Sequence, residues 1–199
     1  MKKTILAVIV AALATSAMAQ NSNFNYNVDR FADIEVLRYQ VPGFEDLSLQ
    51  QKELVYYLTE AALNGRDILF DQNCKYNLMV RTTLEDIYRN YKGDKNDKDY
   101  QAFVKYLKQV WFGNGIHHHY SMDKFIPEFS KNFFDKQFAA LPGAKDREGE
   151  KKVLDRVIFD RDFMAKRVNQ ADGQDLILTS ACNMYEGVTQ QEVEDFTTT

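Results

Sequence analysis

The chain has 199 residues, of which 25 are basic and 29 acidic, for a formal net charge of −4. An acidic balance without a Lys/Arg stripe argues against nucleic acid or an anionic membrane as partner. With 45% hydrophobic and 13% aromatic residues the composition is not that of a disordered chain, and the length suits one domain.

Residues 1–19 read as a cleavable secretory signal peptide. Lys2 and Lys3 form the positive start, Thr4–Leu13 the apolar run, and Ala17-Met18-Ala19 the small-x-small cleavage site. A membrane span needs about 20 apolar residues, and Thr15 and Ser16 interrupt this run too early. Cleavage predicts an exported protein, periplasmic or extracellular, that begins at Gln20 and carries a charge of −6 once Lys2 and Lys3 are gone. No membrane attachment is expected after cleavage.

The Asn-rich stretch Gln20–Asn27 predicts a loose N-terminus. Phe31–Phe44 reads as extended chain closed by the Pro42-Gly43 turn. Ser48-x-x-Gln51 is a capping box that opens a helix with Leu54, Leu58 and Ala61 toward the core, and Asn64-Gly65 is its stop signal. A second helix is predicted over Leu78–Tyr91, with Leu84, Ile87 and Tyr91 on one side. Lys92–Asp99 is a solvated turn. The strongest helical period follows, at Tyr100, Phe103, Val104, Leu107, Val110 and Trp111, and Gly113 and Gly115 end it. Shorter helices are predicted at Lys131–Phe138 behind Ser130 and at Gly149–Phe159. The fold class is mainly α, with some extended segments.

Thr189-x-x-Glu192 is another capping box, and Gln190–Phe196 begins an amphipathic helix that Thr197-Thr198-Thr199 stops after about two turns. So short a helix is unstable without cover. The atypical tail at 197–199 therefore predicts a chain cut short, with the apolar faces at 100–111 and 190–196 wanting later sequence to pack on.

His117-His118-His119 are the only histidines. Helical two-His metal sites need imidazoles one turn apart, which three adjacent residues cannot supply. In extended chain His117 and His119 share a face and His118 opposes them. The segment reads as a polar loop, and no metal ligand or catalytic residue is assigned. Gly113-Asn114-Gly115 lacks the preceding strand and third glycine of a nucleotide loop. Cys74 and Cys182 lack a CxxC partner, which rules out a cysteine zinc site, and their wide spacing leaves a disulfide open. The simplest reading makes both small buried apolar residues.

FADIEVLRYQVPGFEDLSLQQKELVYYL (31–58), KQVWFGNGIHHHYSMDKFIPEFS (108–130) and SACNMYEGVTQQEVEDF (180–196) together resemble the bacterial dipeptidyl peptidase III family. The resemblance extends over the mature chain to Phe196, and the order and density of the three segments carry it. It implies a two-lobed zinc exopeptidase that removes dipeptides from the free N-terminus of short peptides. It also implies zinc held by a His-Glu-x-x-Gly-His helix and by a glutamate of a later Glu-Glu-x-Arg-Ala-acid helix. The glutamate of the first motif would be the general base. Neither motif occurs here, for no His-Glu pair exists in the chain. The match corresponds to the helical N-terminal part of the lower, non-zinc lobe, spanning 20–196.

By that resemblance the segment 113–125 borders the substrate cleft, with Tyr120 as an aromatic wall and Asn114 as a polar contact. The expected function is an exported N-terminal portion of a dipeptidyl peptidase III-like enzyme, inactive by itself and without zinc of its own. One alternative is a competent half that works with a separately encoded zinc lobe. Another is a small secreted helical binding protein without catalysis, which predicts a closed core.

Overall fold

The computed structural model of the chain describes residues 24–198. The signal peptide expected over 1–19 lies outside them. The chain divides between Leu47 and Ser48 into two compact units.

The first unit carries an antiparallel hairpin, β1 (Asn27–Phe31) and β2 (Ile34–Leu37); only β2 falls within the stretch 31–44 expected to be extended, and β1 precedes it. Phe31 pairs with Ile34 and Arg30 with Glu35, so two residues make the turn, and Ala32 takes a positive φ of 49° there. Arg38 fastens the hairpin to the preceding residues. Its N–H donates to the Tyr26 carbonyl at 2.9 Å, and its Nε donates to the Asn25 carbonyl at 2.8 Å.

The second unit is helical, as the periodicities require. Ser48 caps α1 (Leu49–Asn64) through the expected box: Gln51 N–H donates to Ser48 Oγ, and Ser48 N–H donates to Gln51 Oε1. No residue of α1 is buried, which corrects the assignment of Leu54, Leu58 and Ala61 to the core. Spacing marks the face that wants cover; it does not provide the covering element. Gly65 ends α1, yet its φ of −77° is helical, and the chain restarts at once as α2 (Arg66–Asn73). This helix went unread because Phe70 is its one buried side chain.

The core sits among the next four helices. α3 (Asn77–Asn90) buries Val80, Leu84 and Ile87, and α4 (Lys98–Gly113) buries Tyr100, Phe103, Tyr106, Leu107 and Val110. Ser130 caps α5 (Lys131–Ala139), and a 3₁₀ turn at Ala144–Arg147 leads into α6 (Glu148–Phe159). α3 packs on α4, α5 and α6. Phe103, Phe129, Phe133, Phe134 and Phe159 meet ring to ring with centroids 5.6–6.5 Å apart. The apolar face over 100–111, expected to lack cover, is therefore covered within the chain.

Trp111 is the exception. It is 38% exposed, donates its indole N–H to Glu85 Oε1 at 2.9 Å, and meets Tyr88 edge-on. Position 111 lies at the rim of the stripe that 103, 107 and 110 define, and the polar end of the indole finds its partner there.

α3 and α6 are also tied by a polar knot. The buried Thr83 donates to Glu150 Oε1 at 2.9 Å and accepts from Arg147, while Arg147 Nε donates to Glu150 Oε2 at 2.8 Å. The guanidinium of Arg147 holds the Glu150 carboxyl below the usual carboxylate range.

Residues 160–189 contain no helix or strand beyond an isolated bridge at Lys166. Thr189 then caps α7 (Gln190–Thr197) with the expected box; none of its residues is buried, and Phe196 is 83% exposed. No helix among the described residues is long and apolar enough to cross a membrane.

Candidate functional site

The loop 113–125 begins where α4 must stop. Asn114 adopts the left-handed conformation (φ 49°, ψ 45°), and Gly115 follows at φ 142°. Asn77, at the start of α3 and wholly buried, fits against this turn. Its Oδ1 accepts from Ile116 N–H at 3.1 Å, and its Nδ2 donates to the carbonyl of Phe70 at 3.0 Å. Asn73 Nδ2 donates to the Asn114 carbonyl at 3.1 Å. The backbone of Asn114 is thus held by side chains from α2 and α3, and its own side chain is half-buried.

Beyond the turn the chain doubles back as a narrow ribbon. Phe125 N–H donates to the Ile116 carbonyl at 2.8 Å and His118 N–H to the Asp123 carbonyl at 2.7 Å, with His117 opposite Lys124. The irregular segment after α6 lies along the outer edge. Lys124 N–H donates to Ala165, Arg167 N–H to Met122, and Ala181 and Cys182 donate to Lys166 and Arg167 in turn.

The three histidines part company. His117 is 1% exposed, and its Nε2 donates to the Met164 carbonyl at 2.7 Å, which leaves Nδ1 as a buried acceptor without a partner. Burial pushes its pKa down to about 4, with the Met164 carbonyl opposing and the nearby Lys124 cation assisting. His118 Nδ1 accepts from the N–H groups of Tyr120 and Ser121 at 3.1 and 3.0 Å and so shapes the tip. His119 is exposed, with its ring against Phe112. These donors do not fit the zinc that the resemblance implies. One imidazole is inside on a carbonyl and the next is committed to backbone N–H groups. The described residues hold no group of three or more His, Cys, Asp or Glu placed to bind a metal.

Lys124 is the second buried cation-forming group, at 7% exposure. Its Nζ donates to the carbonyls of Asp160 and Phe163, at 2.6 and 2.8 Å, just past the end of α6. Burial brings its pKa down to about 8, against the pull of Asp160. Its geometry is that of a cap on unpaired carbonyls.

Tyr120 stands at the tip, 85% exposed. Asn114 and Tyr120 belong to one framed loop, the first at its base and the second at its apex. A cleft of about 540 Å³ opens behind the ribbon's outer edge, lined by Arg156, Asp160, Asp162, Lys166, Asn169 and Ser180 among others. Sequence reading missed it, because its walls come from a stretch with no period and no motif. The site as a whole offers an exposed phenol, half-buried amide groups and mixed charge. No family model and no curated protein sequence matches this chain.

Proposed function

We propose that the chain is the exported, non-zinc portion of a dipeptidyl peptidase III-like exopeptidase and forms a wall of its peptide cleft. In this reading Tyr120 and Asn114 contact short peptide substrates, and the zinc and general base come from helices that residues 24–198 do not contain.

The observation that carries the reading is the construction of the loop 113–125. A base of buried, hydrogen-bonded residues (Asn77, Ile116, His117, Lys124) supports a single aromatic ring held out at the tip. Rigid support under an exposed ring is what a ligand wall needs, because little conformational entropy remains to be lost on binding. The bare α1 adds support. Leu49, Leu54, Tyr57, Leu58 and Leu63 are more than half exposed, as expected of a helix that meets further protein.

The closed aromatic core favours a second reading, a self-standing secreted binding protein that uses α1 for its partner. Dipeptide release from a chromogenic dipeptidyl arylamide separates the two. The chain alone, with zinc added, should give none. Mixed with a separately produced zinc-bearing portion of such a peptidase, it should give chelator-sensitive release. Absence of both complementation and association favours the binding protein. Chelator-sensitive release by the chain alone, lost when His117 and His119 are both changed to Ala, overturns the non-catalytic assignment.

A further inference from the structure

The two cysteines, 108 positions apart in sequence, lie on segments that run against each other. Asn183 N–H donates to the Gln72 carbonyl at 3.2 Å, and Lys75 Nζ pairs with Glu186 at 3.1 Å, so the two segments are joined on either side of Cys74 and just past Cys182. The backbone bond lies one residue past Cys182 and two before Cys74, so it brings the segments that carry the two thiols alongside each other. Cys74 ends α2 in extended conformation and is fully buried, while Cys182 is half-buried; both are free thiols in this structure. The thiols are also near enough for a charge on Cys182 to raise the pKa of Cys74, behind burial as the main cause.

We propose that Cys74 and Cys182 form an intrachain disulfide when the chain folds in an oxidising compartment, stapling the irregular segment 160–189 to the α2–α3 junction. The staple has a purpose in the fold. That segment provides the carbonyls of Met164, Ala165, Asp160 and Phe163 that hold His117 and Lys124, yet it has no helix or strand to hold itself. The oxidant is a small disulfide such as oxidised glutathione. The thiolate of Cys182, the more exposed sulfur, attacks it and expels one reduced thiol, leaving a mixed disulfide. The thiolate of Cys74 then attacks the Cys182 sulfur and expels the second reduced thiol. Two protons and two electrons leave the protein, and one S–S bond forms in place of another.

The test is thiol counting by mass. Mature chain equilibrated with oxidised glutathione is denatured and alkylated with iodoacetamide, with and without prior reduction. The proposal expects no adducts unreduced, two adducts after reduction, and one crosslinked peptide containing Cys74 and Cys182. Reduction should lower the melting temperature by about 5–15 °C. Cys182→Ser should melt at the reduced value whatever the redox state, which keeps the test informative if Cys74→Ser fails to fold. Two adducts on unreduced chain, glutathione adducts without a crosslink, or an interchain dimer as the oxidised product would each overturn it.

Discussion

A methyl group on Gly115 would fall on the carboxamide of Asn77, and that contact joins the end of α4 to the start of α3. The same glycine has a positive φ of 142°, so an added side chain meets both a steric and a backbone objection. Gly115→Ala should cost about 2–4 kcal/mol. Asn77→Ala should cost about 1–3 kcal/mol, because it strips the partner from Ile116 N–H. With the carboxamide gone the alanine at 115 has room, so the double variant should be more stable than the sum of the two losses by at least about 1 kcal/mol. Denaturant midpoints of the four proteins measure this; strict additivity would mean that the two residues do not share one contact.

The α4 stripe gives a second contrast. Leu107 is wholly buried, and Leu107→Ala should cost about 2–5 kcal/mol. Trp111 is larger but sits at the rim, and Trp111→Ala should cost less than the Leu107 change, about 1–3 kcal/mol. Equal losses in urea unfolding would move Trp111 back into the core.

These two residues also mark how far the sequence could be read. Helical spacing found α4, α3, α5 and α6 within a residue or two, because each turns a sustained apolar face to the others. The same spacing put Trp111 and α1 inside, because a period carries no information about whether a neighbour exists. The ribbon at 116–125 and its edge at 165–167 and 181–182 were illegible, since Lys124 joins Ala165 and Arg167 joins Met122 across some forty residues, and these bonds satisfy backbone groups that no side-chain pattern reports. Tyr120 and Asn114 were named through resemblance, and their opposite roles as apex and base became readable only with Asn73, Asn77 and His118 in view. His117 was the hardest case, for nothing in three identical neighbours distinguishes the buried one.

That burial makes His117 a source of acid sensitivity. Its folded pKa of about 4 lies below the ordinary value of 6.5, so between these values the unfolded chain binds the extra proton. Stability therefore falls as the pH is lowered through this window, by up to about 3 kcal/mol. Lys124 and Arg167 face the ring and resist its protonation, and Asp123 favours it. The carboxylates behave oppositely in range. Glu150 is held low by Arg147 and Asp123 by Lys166, so their support is present above about pH 4 and disappears only as the pH falls through their lowered values. His117→Gln should flatten the stability profile between pH 6.5 and 4 and leave the steeper loss below it. A profile unchanged in that window would place the acid sensitivity elsewhere.

The bare face of α1 separates what holds the chain together from what it is for. Leu54 and Leu58 are 58% and 59% exposed, and no residue of the helix is buried. Both side chains stand mostly in solvent, so changing both to Lys should leave the unfolding free energy within about 0.5 kcal/mol per site. Two added cations on an apolar patch should at the same time suppress self-association, measurable as a smaller scattering signal at high protein concentration. If α1 docks onto the zinc-bearing portion of a peptidase, the double variant should lose dipeptide release in the mixture while Tyr120→Ala weakens release without breaking association. The two variants thus distinguish a docking face from a substrate wall. A large loss of stability on changing Leu54 and Leu58 would instead show that α1 already has its cover, and the case for a larger assembly would lose its second support.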